Sequence, residues 1–342
     1  MTAPRFSRHQ INRAGETLAS DDASETAHTQ AVQTLTEWRA LHWYPMHMLA
    51  VTLRRHLQTK KKTSLIATRL KRLPTILDKL KNREREMALG RMQDVGGVRA
   101  ILPSVPDVRA LERYCRLIKG HLTLKGSKDY LASPRCSGYR SIHLVYEYHN
   151  PRKPELDGLL IELQLRSRLE HLWATAVEAV GFARQEALKS GRGTEEWLTF
   201  FKLVSALFAF REASPPPPDF ESSSEAHVKE KLSAHIRTFA SIDTLRAITH
   251  LSMPPSLDTL KKSKYWLIRS DGLHLLFQGF NAATAAFSAY NDLEQTPLNQ
   301  IGRAQTLLFS VDSVKNIQRA YPNFFLNLTD FLRELNHSLA IP

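Results

Sequence analysis

"GYRSIHLVYEYHNPRKPELDGLLIELQLRS", residues 138–167, holds two alternating runs on either side of a turn-prone centre. Strand geometry puts Ile161, Leu163 and Leu165 on one face, with Glu162, Gln164 and Arg166 on the other. The same rule groups Tyr139, Ser141 and His143. Two such runs joined by "NPRKPELDG" predict a hairpin whose polar faces merge into one surface. A sheet with one face in water alternates in the same manner, so the period fixes a strand pair before it fixes a site.

Elements on both sides extend this pair. "TSLIATRLK" (63–71) reads as a strand, and Pro74 suits the first turn of a helix with Leu77, Leu80 and Met87 on its core face. "VGGVRAILPSV" (95–105) is a further strand, and "PDVRALERYCRLIKG" (106–120) a helix stopped by Gly120. A long helix follows over 168–188. Upstream, residues 1–30 are a polar start, and apolar spacing predicts helix from Ala31 to Leu57 with a pause at "WYP".

"EEWLTFFKLVSALFAF" (195–210) is a buried helix, and "REASPPPPDFESSSE" (211–225) has the composition of a linker. Beyond it come helix over 225–250, a hairpin over 264–280 turning at Asp271-Gly272, a helix (281–294), a strand (304–312) and a helix (321–337). The expected class is α/β (α+β), a mixed sheet flanked by helices with a second small α+β unit. The expected boundaries are 1–60 helical, 61–212 main domain, 213–225 linker and 226–342 C-terminal domain.

The chain has 342 residues, 42% hydrophobic and 24% charged, with a net charge of +13. Residues 51–100 alone hold 14 Lys/Arg against 4 Asp/Glu. Such an excess favours anionic partners. No apolar run of about twenty residues predicts a membrane span, and the first residues lack the apolar core of a signal peptide. Two cysteines, Cys115 and Cys136, give no disulfide framework, so a reducing cytoplasm is the expected location.

An aromatic, a guanidinium, a hydroxyl and an imidazole along 139–143 suit a partner that is both flat and anionic, as a nucleotide is. "TRLKRLPTILDKLK" sets Arg69, Lys71, Arg72 and Lys79 around a strand-to-helix turn, and "QDVGGVRA" sets Asp94 before a glycine pair and Arg99. Asp94 and Glu162 are candidate Mg²⁺ ligands, with polyphosphate and water completing the octahedron.

"RLKRLPTILDKL" (69–80), "DVGGVRA" (94–100), "KDYLASPRCSGYRSIH" (128–143) and "IELQLRS" (161–167) resemble, in order and spacing, the RelA/SpoT synthetase domain. The resemblance covers about residues 60–185. It implies a nucleotidyltransferase-like sheet that moves the β,γ-pyrophosphate of ATP to the 3′-hydroxyl of GDP or GTP. By position it implies Arg69, Lys71, Lys79 and Arg99 as ATP contacts, with Asp94 and Glu162 holding Mg²⁺ and serving as the catalytic acids. Tyr139 is implied to stack on the acceptor guanine, with Arg135, His143, Gln164 and Arg166 around its phosphates and pocket. Arg135 stands where Lys is frequent, and Ser137 where Asn is frequent. His171 and Glu178 are expected either to reach the pocket or to support packing, and Trp173 to belong to the core.

The chain holds no His-Asp dipeptide, so that family's hydrolase domain is not expected. Two alternatives to alarmone synthesis remain. One is pyrophosphorylation of a tRNA 3′ end, and the other a non-catalytic nucleotide-binding regulator. A regulatory protein partner or a second copy of the chain is a further expectation, attached to the C-terminal unit.

Overall fold

In this computed structural model residues 5–83, 87–188, 191–239, 241–250, 263, 265–270, 275–294, 305–309 and 328–339 are described. Three helices lead: α1 (Arg8–Ala19), α2 (Glu25–Leu41) and α3 (Trp43–Thr59). The pause at "WYP" is the α2–α3 junction at His42. Helix α1 lies where only a polar start was expected. Ser7 and Gln10 form a capping box, and Ile11, Ala14 and Leu18 make a narrow buried stripe. Four apolar residues in twelve, two of them alanines, leave little signal in the sequence.

Strand β1 (Leu65–Leu70) follows, then α4 (Leu73–Asp78) with Pro74 in its first turn, continuing into a π-helical turn over Lys79–Arg83. Next come β2 (Gly96–Leu102) and α5 (Val105–Arg116), capped by Ser104, which ends at Leu117 rather than at Gly120. Strands β3 (Leu122–Asp129), β4 (Ile142–Tyr148) and β5 (Leu160–Ser167) complete a five-stranded sheet of order β1-β2-β5-β4-β3. Only β2 and β5 run parallel. The hairpin read from residues 138–167 is β4–β5, although β4 starts at Ile142 and leaves Tyr139, Arg140 and Ser141 in irregular chain. Strand β3 was not expected. It is a largely exposed edge, so it shows no apolar alternation.

The apolar face, with Val98, Ala100, Ile161, Leu163 and Leu165, is buried under α3 and α5. Gly96 belongs to that face: a Cβ there would meet His42 Cβ at 2.9 Å, Ile161 Cδ1 at 3.0 Å and Met46 Cγ at 3.1 Å. Gly97 points the other way, and the nearest atom to its virtual Cβ is the Arg69 carbonyl oxygen at 3.7 Å.

A second core joins α6 (Arg168–Arg184), α7 (Glu195–Arg211), α8 (Glu225–Phe239), α9 (Ser241–His250) and the last described helix, α11 (Thr329–Leu339). Trp197, Phe200, Phe208, Val228, Leu232, Phe331 and Leu335 are fully enclosed within it. The shared core therefore runs across the boundary expected at 213–225. That stretch is not a free tether: Phe220 is buried, Lys202 pairs with Asp219 at 3.1 Å, and Arg140 reaches Ser214 at 2.7 Å.

Strands β6 (Tyr265–Ser270), β7 (Leu275–Phe280) and β8 (Gln305–Phe309) form an antiparallel sheet of order β7-β6-β8 with α10 (Ala283–Glu294). It meets the N-terminal helices, where Arg39 donates to Tyr290 Oη at 2.8 Å and Trp43 packs on Tyr265 and Phe287. The turn expected at Asp271-Gly272 and the "YPNFF" stretch (321–325) lie outside the described residues. Among the described residues no helix is long and apolar enough to cross a membrane.

Candidate active site

Residues directly opposite each other on neighbouring strands share a face. One row across the sheet runs Arg69, Gly97, Glu162, Val145. The next runs Ala67, Arg99, Gln164, His143, Lys128. Six of the candidate residues thus come to one polar face: Arg69, Arg99, His143, Glu162, Gln164 and, one row on, Arg166.

Five side chains close a hydrogen-bonded circuit. His143 Nδ1 lies 2.8 Å from Glu162 Oε1, and His143 Nε2 lies 2.7 Å from Tyr139 Oη. Arg166 Nη2 donates to Tyr139 Oη at 3.0 Å and to Gln164 Oε1 at 3.1 Å. Gln164 Nε2 then donates to Glu162 Oε2 at 2.7 Å. A buried polar group without a partner is costly, and each member here satisfies the next.

The electrostatics follow. Burial works to raise the Glu162 pKa, but the His143 hydrogen bond and charge, Gln164 and Lys71 overcome it and hold the carboxyl at about 2. Burial likewise opposes a charged His143, yet Tyr139 and Glu162 raise its pKa above the ordinary imidazole value. Arg166 is fully buried, and Tyr139 and then Glu178 offset that desolvation so that its pKa is raised.

A second cluster adjoins the circuit. Lys71, immediately after β1, ties its backbone N–H to the Val95 carbonyl at 2.8 Å, which sets its ammonium 2.5 Å from Asp94 Oδ2. Lys79 opens the π-helical turn and stands 3.7 Å from Asp94 Oδ1. Such turns recur at functional positions. Burial lowers the Lys71 pKa despite Asp94, whereas for Asp94 burial is outweighed by Lys71 and Lys79 and the pKa falls. Glu162 is close enough to act on Asp94 as a like charge.

Asp94 Oδ1 is buried and accepts no hydrogen bond. A carboxylate oxygen that holds no hydrogen bond, near a second carboxylate, fits a hard divalent cation completed by phosphate and water. Among the described residues no group of three or more His, Cys, Asp or Glu is placed to hold a metal by itself. Magnesium needs no such group, because it is commonly held by one or two carboxylates plus substrate phosphates.

Beyond the Tyr139 ring lies a small apolar hollow lined by Ser137, Trp173, Ala174, Val177, Leu188, Leu198 and Phe201. Trp173 Nε1 donates to the Phe201 carbonyl at 2.7 Å, so its indole is fixed as a wall. Of the sequence candidates, only Arg135 stands apart. Its guanidinium lies over the Tyr130 ring at 4.5 Å and donates to Tyr130 Oη at 2.6 Å, at the exposed rim. His171 is buried in α6, in line with the packing alternative.

Sequence reasoning missed Tyr130, which meets both Tyr139 and His143 edge-on, and Lys128, which ends the row through His143. Both stand in the quoted 128–143 motif, Lys128 within β3 and Tyr130 just beyond it, but neither was given a role. It also missed the α7 residues Leu198 and Phe201, which read as core.

Residues 68–185 match the RelA_SpoT model, described as the region found in RelA / SpoT proteins. GTP pyrophosphokinase YjbM of Bacillus subtilis (strain 168) is 27% identical over 118 residues, 34% of this chain and 56% of that protein. GTP pyrophosphokinase YwaC of the same organism is 28% identical over 114 residues, 32% of this chain and 53% of that protein. The chain thus spans little more than half the length of these curated relatives. Among solved structures, small alarmone synthetase 1 from Bacillus subtilis bound to its product pppGpp has a TM-score of 0.44 at 23% identity, covering 51% of this chain and 90% of that one. For small alarmone synthetase 2 from the same organism the TM-score is 0.45 at 18% identity, with 51% and 92% covered. Residues 68–185 of this chain thus match the region found in RelA / SpoT proteins.

Proposed function

We propose that this chain transfers the β,γ-pyrophosphate of ATP to the 3′-hydroxyl of GDP or GTP, making (p)ppGpp and releasing AMP. One observation carries the reading: the Lys71–Asp94–Lys79 cluster and the Glu162 circuit adjoin each other, and Tyr139 divides the circuit from an apolar hollow. A charged floor beside an aromatic cavity suits polyphosphate beside a base.

Arg69, Lys71, Lys79 and Arg99 take the triphosphate of ATP and neutralise the charge that spreads over the transferred group. Asp94 and Glu162 are the residues to hold Mg²⁺, which when bound supplies Lewis-acid charge at the phosphate oxygens. The acceptor base stacks on Tyr139 at the mouth of the hollow, Lys128 and, from the rim, Arg135 serve its phosphates, and the buried Arg166 orders the pocket by holding Tyr139 Oη. Glu162 is the residue to accept the hydrogen bond of the 3′-hydroxyl and to receive its proton as the new O–P bond forms and the bond to AMP breaks. His143 on Oε1 and Gln164 on Oε2 keep that carboxylate aimed.

A tRNA 3′ end is the second reading, favoured by the exposed run Lys60, Lys61, Lys62 at the end of α3. More phosphate contacts make binding fall more steeply with salt. Labelled ATP incubated separately with GDP, GTP, ATP and deacylated tRNA tests both. Label in GDP or GTP supports the first reading, label in tRNA alone the second, and label in none of the four refutes both.

A further inference from the structure

Tyr139 sits between neighbours that are each held by a different part of the fold. Ser205 of α7 donates to the Gly138 carbonyl at 2.6 Å. Ser141 donates to the Leu165 carbonyl of β5 at 3.0 Å. Arg140 turns away from the polar face and is only 2% exposed. There it donates through Nη2 to Glu212 at 2.9 Å and through Nη1 to Ser214 at 2.7 Å. Gly138 itself has φ +90°, and a Cβ on it would stand 2.9 Å from Ser205 Cβ. The chain approaches α7 here as closely as a backbone without a side chain can.

The far side of the contact is also specialised. Ala213, between the two Arg140 acceptors, has φ +48°. A non-glycine residue in the left-handed region is strained and persists only where its surroundings hold it. Glu212 is 9% exposed at its side chain, so the Arg140–Glu212 pair is a buried charge pair. Separating it would leave two desolvated charges without partners. Glu170 faces the same guanidinium from α6.

None of Ser205, Glu212 and Ser214 lies within the matched segment 68–185. We infer that Arg140, Glu212 and Ser214 form a latch by which the end of α7 positions Tyr139, so that acceptor binding is set from outside the RelA/SpoT region. The inference rests on the proposed reaction for its kinetic consequence, and on the contacts alone for the latch. These are positioning residues, since none of them touches a reacting atom.

The test compares the full chain with Glu212→Gln, Ser214→Ala and Arg140→Lys, of which the first two are the mildest. Opening the latch displaces the base platform without touching the ATP cluster. KM for the acceptor should therefore rise about tenfold, while KM for ATP stays within about twofold. Amide hydrogen exchange should quicken in peptides spanning 135–141 and stay unchanged in β5. A residue that only stabilises the fold would lower the melting temperature and leave the KM ratio where it was, and that result overturns the inference. Unchanged exchange over 135–141 in all three variants also overturns it. A wild type that labels none of the offered acceptors refutes the proposed reaction and not the latch, which the exchange still decides.

Discussion

Arg168, the first residue of α6, and Glu334, on the last described helix, meet at 2.8 Å across 166 residues of chain. The same carboxylate accepts from Arg211 at the end of α7, at 3.2 Å. One acid therefore ties both helices that wall the hollow to the C-terminal helix. The sequence invites a cut at the prolines, as if the distal part were detachable. A chain ending at Pro216 loses Val228, Leu232, Phe331 and Leu335 from the second core. It is expected to aggregate or to lose helical signal, read by soluble yield and circular dichroism. In the full chain Phe331→Ala should cost about 3–5 kcal/mol in a denaturant titration. A soluble, active truncation would show that α6 and α7 pack without their cover.

Asp94→Asn and Glu162→Gln should each lower turnover at least about a hundredfold, because each removes a charge facing the transferred group. The folds should survive, since both replacements keep the size of the side chain. Turnover with circular dichroism checks this. Either variant keeping more than a few per cent of wild-type turnover would remove that acid from the metal and catalytic assignment.

Tyr139→Ala should weaken acceptor use far more than ATP use, since stacking on a base contributes about 1–3 kcal/mol. Tyr139→Phe is expected to fall between wild type and alanine. A phenyl ring keeps the stacking surface but withdraws the hydroxyl that bonds His143 and Arg166. Leaving part of the buried Arg166 unsatisfied costs about 1–3 kcal/mol. Separate KM values for acceptor and ATP decide it, and equal effects on both would exclude stacking.

Glu170 gives a pH signature. Burial raises its pKa from 4.5 to about 7, against the pull of Arg140. One carboxylate oxygen accepts the Ser167 backbone N–H while the other is buried without a partner. Between those two pH values the folded state keeps a proton that the unfolded state has lost. Stability from this group is thus greatest below pH 4.5 and declines as pH rises towards 7. Glu170→Gln keeps the capping hydrogen bond and removes the charge. Relative to wild type it should gain stability progressively as pH rises from 4.5 towards 7 and nothing near pH 4. Thermal melts of both proteins from pH 4 to 8 measure the difference, and parallel curves would refute it.

The legible part of this molecule was the part with strong period or strong punctuation. Alternation in 158–167 placed Glu162, Gln164 and Arg166 on one face, as found. Pro74 marked the start of α4. Helix α1 and strand β3 were not legible, the first because its stripe is narrow and the second because an exposed edge needs no apolar face. Lys128 and Tyr130 stood inside the 128–143 motif, but without the β3–β4 register nothing singled them out. The distal helices read as a separate unit because a Pro/Ser run resembles a tether, and nothing local in Phe331 or Glu334 names its partner. Long-range pairing is written in shape and charge complementarity, which a one-dimensional pattern does not carry.

The glycine pair of β2 answers to two masters. Position 96 is closed by the protein itself, through His42, Met46 and Ile161, so any larger residue there is rejected as the chain folds. Position 97 has room for a methyl group and opens onto the face between Arg69 and Glu162. In a library randomised at both codons, variants at 96 should vanish from a screen for soluble protein. Variants at 97 should pass that screen and vanish only when nucleotide chemistry is demanded. Two adjacent, identical residues thus become independent gauges, one of foldability and the other of occupancy.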